Sequence, residues 1–75
     1  MKPTVPEVMP LVREYYEDNY AGGSLHIVLD DGNIRDSDLE FCLKEAELAG
    51  DERAIKIAKL MLQMSKTQRK KLSRG

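Results

Sequence analysis

Gly22-Gly23-Ser24-Leu25-His26-Ile27-Val28-Leu29-Asp30-Asp31-Gly32-Asn33 is the stretch whose conformation decides the fold, because amphipathic helix explains most of the chain on either side. Two glycines break the preceding helix. Leu25 to Leu29 is a mostly apolar run that carries the only histidine of the chain. Alternation puts Leu25, Ile27 and Leu29 on one face of a strand, with His26 and Val28 on the other. Asp30-Asp31-Gly32-Asn33 then makes a turn, since glycine and asparagine tolerate positive φ. Only Ile34 and Arg35 separate that turn from the next helix cap, so a returning strand has little chain to use. The segment is expected as a short β strand or hairpin, paired with residues 33–35 or with another chain, because a lone strand leaves backbone groups unpaired.

Towards the N-terminus, Pro3, Pro6 and Pro10 punctuate the first ten residues, and a proline inside a helix costs about 3 kcal/mol. Residues 1–9 are assigned to a proline-containing arm, with the first helix starting near Pro6 and kinked, or near Pro10 at its first position. Val5, Val8, Val12, Tyr15, Tyr16 and Tyr20 recur near helical spacing and carry that helix to about Asn19. Towards the C-terminus, a helix starts at Asp36 or Ser37, with Ser37-x-x-Glu40 as a capping box. Its apolar stripe is Leu39, Cys42, Leu43, Ala46 and Ala49, and Gly50 stops it. Asp51 caps a further helix to about Met64. The polar residues Glu52, Lys56, Lys59 and Gln63 form one narrow stripe on it. Apolar side chains take the rest of its circumference, which places it centrally or in an interface. Ser65-x-x-Gln68 caps a last, basic helix within residues 66–75, anchored by Leu72. The expected fold is mainly α: a single small domain, residues 1–75, of three to four short helices with one short β element between the first two.

A chain this short buries only about 60% of its unfolded surface, so its core is thin and a staple is expected. The single cysteine, Cys42, cannot form an intramolecular disulfide; beside Phe41 and Leu43 it reads as a small buried hydrophobe. That usage fits a reducing cytoplasm. No apolar run has the form of a signal peptide or the length of a membrane span, so the expected location is cytoplasmic, with no membrane partner. Oligomerisation is the staple left, and a homodimer is the commonest form.

The net charge of −1 conceals a strong polarity. Residues 1–52 hold all 13 acids and four bases, a net of −9, whereas residues 53–75 hold eight bases and no acid, a net of +8. Two readings follow: an acidic surface and a basic tail with separate partners, or halves that neutralise each other in the fold.

His26 with Asp30 and Asp31 is the only grouping that resembles an acid–base site. In a strand, however, His26 and Asp30 lie about 13 Å apart along one face and cannot touch. No serine–histidine–acid or cysteine–histidine arrangement is evident, so no enzyme activity is expected. For metals, an EF-hand loop starting at Asp31 needs glycine at position 36 and glutamate at 42, where the chain has Asp36 and Cys42. One histidine and one cysteine cannot supply a structural zinc site. No metal and no cofactor are expected. Tyr20, Gly22, Gly23, His26, Asp30, Asp31 and Asn33 are the candidate ligand- or partner-binding set, since tyrosines suit binding surfaces and exposed glycine amides can hold a phosphate. Lys66, Arg69, Lys70 and Lys71 are the alternative, a nucleic-acid contact that would release condensed counterions. The bland reading of these cations is complementarity to a helix C-terminus.

The motif Gly22-Gly23-x-Leu25-His26-Ile27-Val28-Leu29-Asp30-Asp31-Gly32-Asn33, followed by Phe41-Cys42 and Ser65-x-x-Gln68-Arg69, resembles a widespread group of small bacteriophage-encoded proteins of no assigned activity. The resemblance spans roughly residues 20–72 and carries over no functional residue. What it implies is origin: a phage accessory protein acting in the bacterial cytoplasm. The expected function is then a non-enzymatic protein that binds and inhibits, or sequesters, a component of host defence, either a bacterial protein or a small nucleotide signal. The acidic residues between 30 and 47 would mimic nucleic acid towards a basic groove. The alternatives are a nucleic-acid-associated regulator that uses the basic helix, and a structural or assembly factor.

Overall fold

Five helices make up the described part of the chain: α1 (Val5–Glu17), α2 (Ser24–Asp31), α3 (Asp36–Ala49), α4 (Glu52–Leu62) and α5 (Lys66–Leu72). They come from a computed structural model that describes residues 2–18 and 24–73, Ser24 through its backbone alone. The mainly helical class is as expected. The helix count is five rather than three to four, and no strand occurs among the described residues.

The expected β element is therefore corrected to α2. A short apolar run fits both periods: Leu25 and Leu29 are two residues from Ile27 in a strand, but four from each other on one side of a helix. The helix wins because it satisfies its own backbone groups, whereas a strand here would find no second strand among the described residues to pair with. Leu25 and Leu29 are buried in the core, Val28 packs against it, and Ile27 points outward at 67% exposure. Fully burying each leucine contributes about 1.5–3 kcal/mol. The turn is shorter than expected: Asp30 and Asp31 belong to α2, and Gly32 takes the left-handed region open to glycine, at φ 81°.

α1 begins at Val5, beside the Pro6 start that was one of the two the prolines allowed, and not at Pro10. Val5–Met9, assigned from the sequence to an arm, are its first residues, and Val8 is fully buried. Pro6 falls in the first turn, where no intrahelical donor is lost. Pro10 lies inside the helix, and the buried side chains Val8, Val12 and Tyr15 hold the helix together across it.

α3 starts at Asp36, and its cap differs from the Ser37-x-x-Glu40 box. The Asp38 carboxylate accepts the Arg35 backbone N–H at 3.3 Å and the Arg35 Nε at 3.2 Å. Gly50 ends the helix at φ 71°, and the Asp51 N–H closes it by donating to the Ala46 carbonyl at 2.9 Å. The caps of the last two helices are as the sequence indicated. Asp51 accepts from the Ala54 N–H at 3.2 Å. Ser65 and Gln68 cap reciprocally, at 3.2 and 2.9 Å.

α4 is central, as its wide apolar face predicted: it packs on α3 and on α1, while α5 rests on α1 and α2 on α3. Ile57, Ala58 and Met61 of α4 are buried, with Leu39, Cys42 and Ala46 of α3 in the same core. Ion pairs join the acidic and basic parts of the chain. Arg53 of α4 reaches Glu14 and Asp18 beside α1, and Arg69 of α5 reaches Asp36 of α3. Neutralisation within the fold thus engages two arginines.

Candidate functional site

Four surfaces or clusters emerge from the helix geometry, and they redistribute the residues singled out in the sequence. Helical spacing places His26 and Asp30 one turn apart on the same side of α2. The His26 ring lies 4.9 Å from Tyr15 and 4.7 Å from Tyr16, edge-on to the latter. The Tyr16 hydroxyl donates to Asp30 at 2.9 Å. These contacts bind α2 to α1. The His26 Nε2 is buried and has no hydrogen-bond partner among the described residues, and Asp30 is engaged by tyrosine rather than by histidine. The arrangement holds an imidazole in an aromatic box, with no carboxylate bonded to its Nε2 among the described residues. Asp31 and Asn33 are exposed. Tyr20, Gly22 and Gly23 lie outside the described residues.

The basic helix divides in two. Lys66, Lys70 and Lys71 share the exposed side of α5, whereas Arg69 is only 3% exposed. Its Nε donates to the Met61 carbonyl at 2.8 Å, its Nη1 to Ile34 at 3.3 Å and its Nη2 to Leu62 at 3.2 Å, while Asp36 lies 2.6 Å from Nη2. One planar fork thus closes the C-terminal end of α4 and ties α5 to the loop before α3. Arg69 is corrected from a candidate nucleic-acid contact to an internal clamp. The sequence held a signal for it: Arg69 sits three residues before Leu72, on the one side of α5 that can be buried.

The outward face of α3 was missed. Its core residues Leu39, Cys42 and Ala46 define one side of the helix. Phe41 and Leu48, seven residues apart, fall on the opposite side at 57% and 77% exposure. The exposed acids Glu40, Glu45 and Glu47 flank them, with Lys44 between. The signal was two large apolar residues left off the core stripe. Ala49, placed on that stripe, is exposed.

A cleft of about 840 Å³ opens between the starts of α3 and α5 and the end of α4, and Lys2, Arg35 and Lys66 all line it. Asp36 is the only acid on its wall.

The titratable groups fit this picture. The hydrogen bond from the Arg35 side chain holds Asp38 below the ordinary carboxylate range. Burial, with the nearby charges of Asp38 and Glu45, pushes the Cys42 thiol up to about 11. A thiol so raised is almost wholly protonated at neutral pH and is a poor nucleophile. Among the described residues no group of three or more His, Cys, Asp or Glu is placed to hold a metal ion. No described helix is long and apolar enough to cross a membrane. No family model, curated protein or solved structure matches the chain.

Proposed function

We propose that the chain is a non-enzymatic binding protein of bacteriophage origin that docks onto a basic protein of host defence through the outward face of α3. The observation that carries this reading is the position of Phe41 and Leu48, directly opposite the core side of α3 and flanked by Glu40, Glu45 and Glu47. Desolvated aromatic and aliphatic anchors supply binding energy, and a charged rim selects the partner and speeds encounter. An acidic rim selects a basic groove of the kind that takes nucleic acid. The box around His26 holds α2 on α1, so on this reading α2 serves the fold and the docking surface is the neighbouring helix.

The test is expression of the chain in bacteria that each carry one defined defence system, followed by phage plating. Plating on one of these hosts is expected to recover, and the double change Phe41→Ser and Leu48→Ser is expected to abolish the recovery without lowering the thermal midpoint. No recovery on any host, or full activity of the double variant, refutes the proposal. A concentration-dependent dimer in sedimentation that the same double change dissociates would instead give the α3 face to a second copy of the chain.

A second reading, a nucleic-acid-associated regulator, is favoured by the shared exposure of Lys66, Lys70 and Lys71 on α5. It requires salt-dependent DNA or RNA binding that falls when those three lysines are neutralised.

A further inference from the structure

We infer that the cleft between the starts of α3 and α5 binds a polyphosphate group, which makes it a second site separate from the α3 surface. Four cations line the cleft: Lys2 ahead of α1, Arg35 ahead of α3, Lys66 opening α5 and Arg69 within α5. Arg35 is paired with Asp38 and Arg69 with Asp36, so Lys2 and Lys66 supply the charge left for a ligand. Acids are nearly excluded, since of the 13 in the chain only Asp36 lines the cleft. Its carboxylate is already held by Arg69, so it adds little net repulsion. Like charges brought together raise the free energy of the fold unless something answers them, and a wall of one sign concentrates ligands of the other.

The chemical class follows from the number and kind of groups. A single exposed ion pair is worth little in water, so a bound anion must engage several cations at once. A phosphate chain does this, because each unit offers charged oxygens to lysine and arginine donors. The exposed Ser37 and Gln63 on the same wall add neutral polar groups for its bridging oxygens or an attached moiety. Of the two polyanion sources that carry such oxygens, a free nucleotide and a nucleic-acid strand, the shared chemistry is the phosphate itself.

Titration of the ¹⁵N-labelled full chain with inorganic pyrophosphate, ATP and a short single-stranded oligonucleotide tests this, at roughly 0.1 M salt to screen distant charges. Saturable amide shifts are expected for residues 35–37 and 63–68. The double change Lys2→Glu and Lys66→Glu is expected to weaken binding by at least about tenfold, through the loss of two charge-assisted contacts. Lys56→Glu with Lys59→Glu alters net charge equally but lies outside the cleft, and is expected to leave affinity within about twofold. Shifts that stay linear with concentration, or equal losses in both double variants, overturn the site. Tighter ATP than oligonucleotide binding identifies a nucleotide as the source, and the reverse identifies a strand; either order upholds the site.

Discussion

The two shortest helices, α2 and α5, are held by different balances of packing and polar contact. Neither reaches the length of about 12–15 residues at which an isolated helix becomes even marginal in water, so each needs help from outside itself. α5 has a reciprocal cap at Ser65 and Gln68, a buried Leu72, and the Arg69 fork on three backbone carbonyls and Asp36. Its support is polar and directional. α2 has two buried leucines, the aromatic contacts of His26 and one exposed hydrogen bond, from Tyr16 to Asp30, and its sequence favours strand locally. Packing imposes its helix. Polar clamps therefore fail at once when one atom set is removed, whereas packed helices fail in proportion to the volume lost.

The largest effect is expected at the clamp. Arg69→Leu leaves the Met61, Leu62 and Ile34 carbonyls without their donor and is expected to cost about 3–5 kcal/mol, read by urea denaturation. For a domain this small that is a large share of the total stability. Arg69→Lys keeps the charge but loses the planar fork, and about 2 kcal/mol of loss is expected. If lysine is fully tolerated, charge rather than geometry holds α5, and the contrast with α2 weakens.

Leu29→Ala comes next, at about 3 kcal/mol. Alanine is a better helix former than leucine, so the whole loss reports packing against the core. A cost below 1 kcal/mol, the scale of a single methylene, would show that α2 is not seated as described. Removal of the cap, Ser65→Ala, is expected to cost about 1 kcal/mol, the usual value for an N-cap side chain. An equal loss in a chain that already carries Arg69→Leu means cap and clamp act independently. A smaller loss there means that the clamp carries the cap.

These differences also explain what the sequence disclosed. Local rules wrote the end of α3 and the starts of α4 and α5: Gly50, Asp51 and Ser65-x-x-Gln68 act within a few residues of where they stand, so they were legible. The polar stripe of α4 was legible for the same reason, being set by period alone. α2 was not, because Leu25–Leu29 satisfies both periods and only the missing second strand decides between them. Arg69 was misassigned because its acceptors lie up to 35 residues away in the chain, and its one local mark, the three-residue spacing to Leu72, does not show what a buried cation would bond to. Phe41 and Leu48 stood off the apolar stripe already read for α3, but Phe41 was read only as a neighbour of Cys42, so the two were not joined into a surface.

The smallest expected effect is the one that divides helix from strand most directly. Ile27 stands outside the core at 67% exposure, so its replacement changes little packing and mainly changes backbone preference. In a helix, Ile27→Ala removes a β-branched side chain that loses χ1 freedom against the preceding turn. The chain is expected to gain a few tenths of a kcal/mol. In a strand the same change removes a favoured residue, and the sign reverses. The urea midpoint of the variant, measured at equal slope, therefore rises if α2 is a helix. A fall would return Leu25–Leu29 to the strand that its alternation first suggested, and would reopen the question of what that strand pairs with.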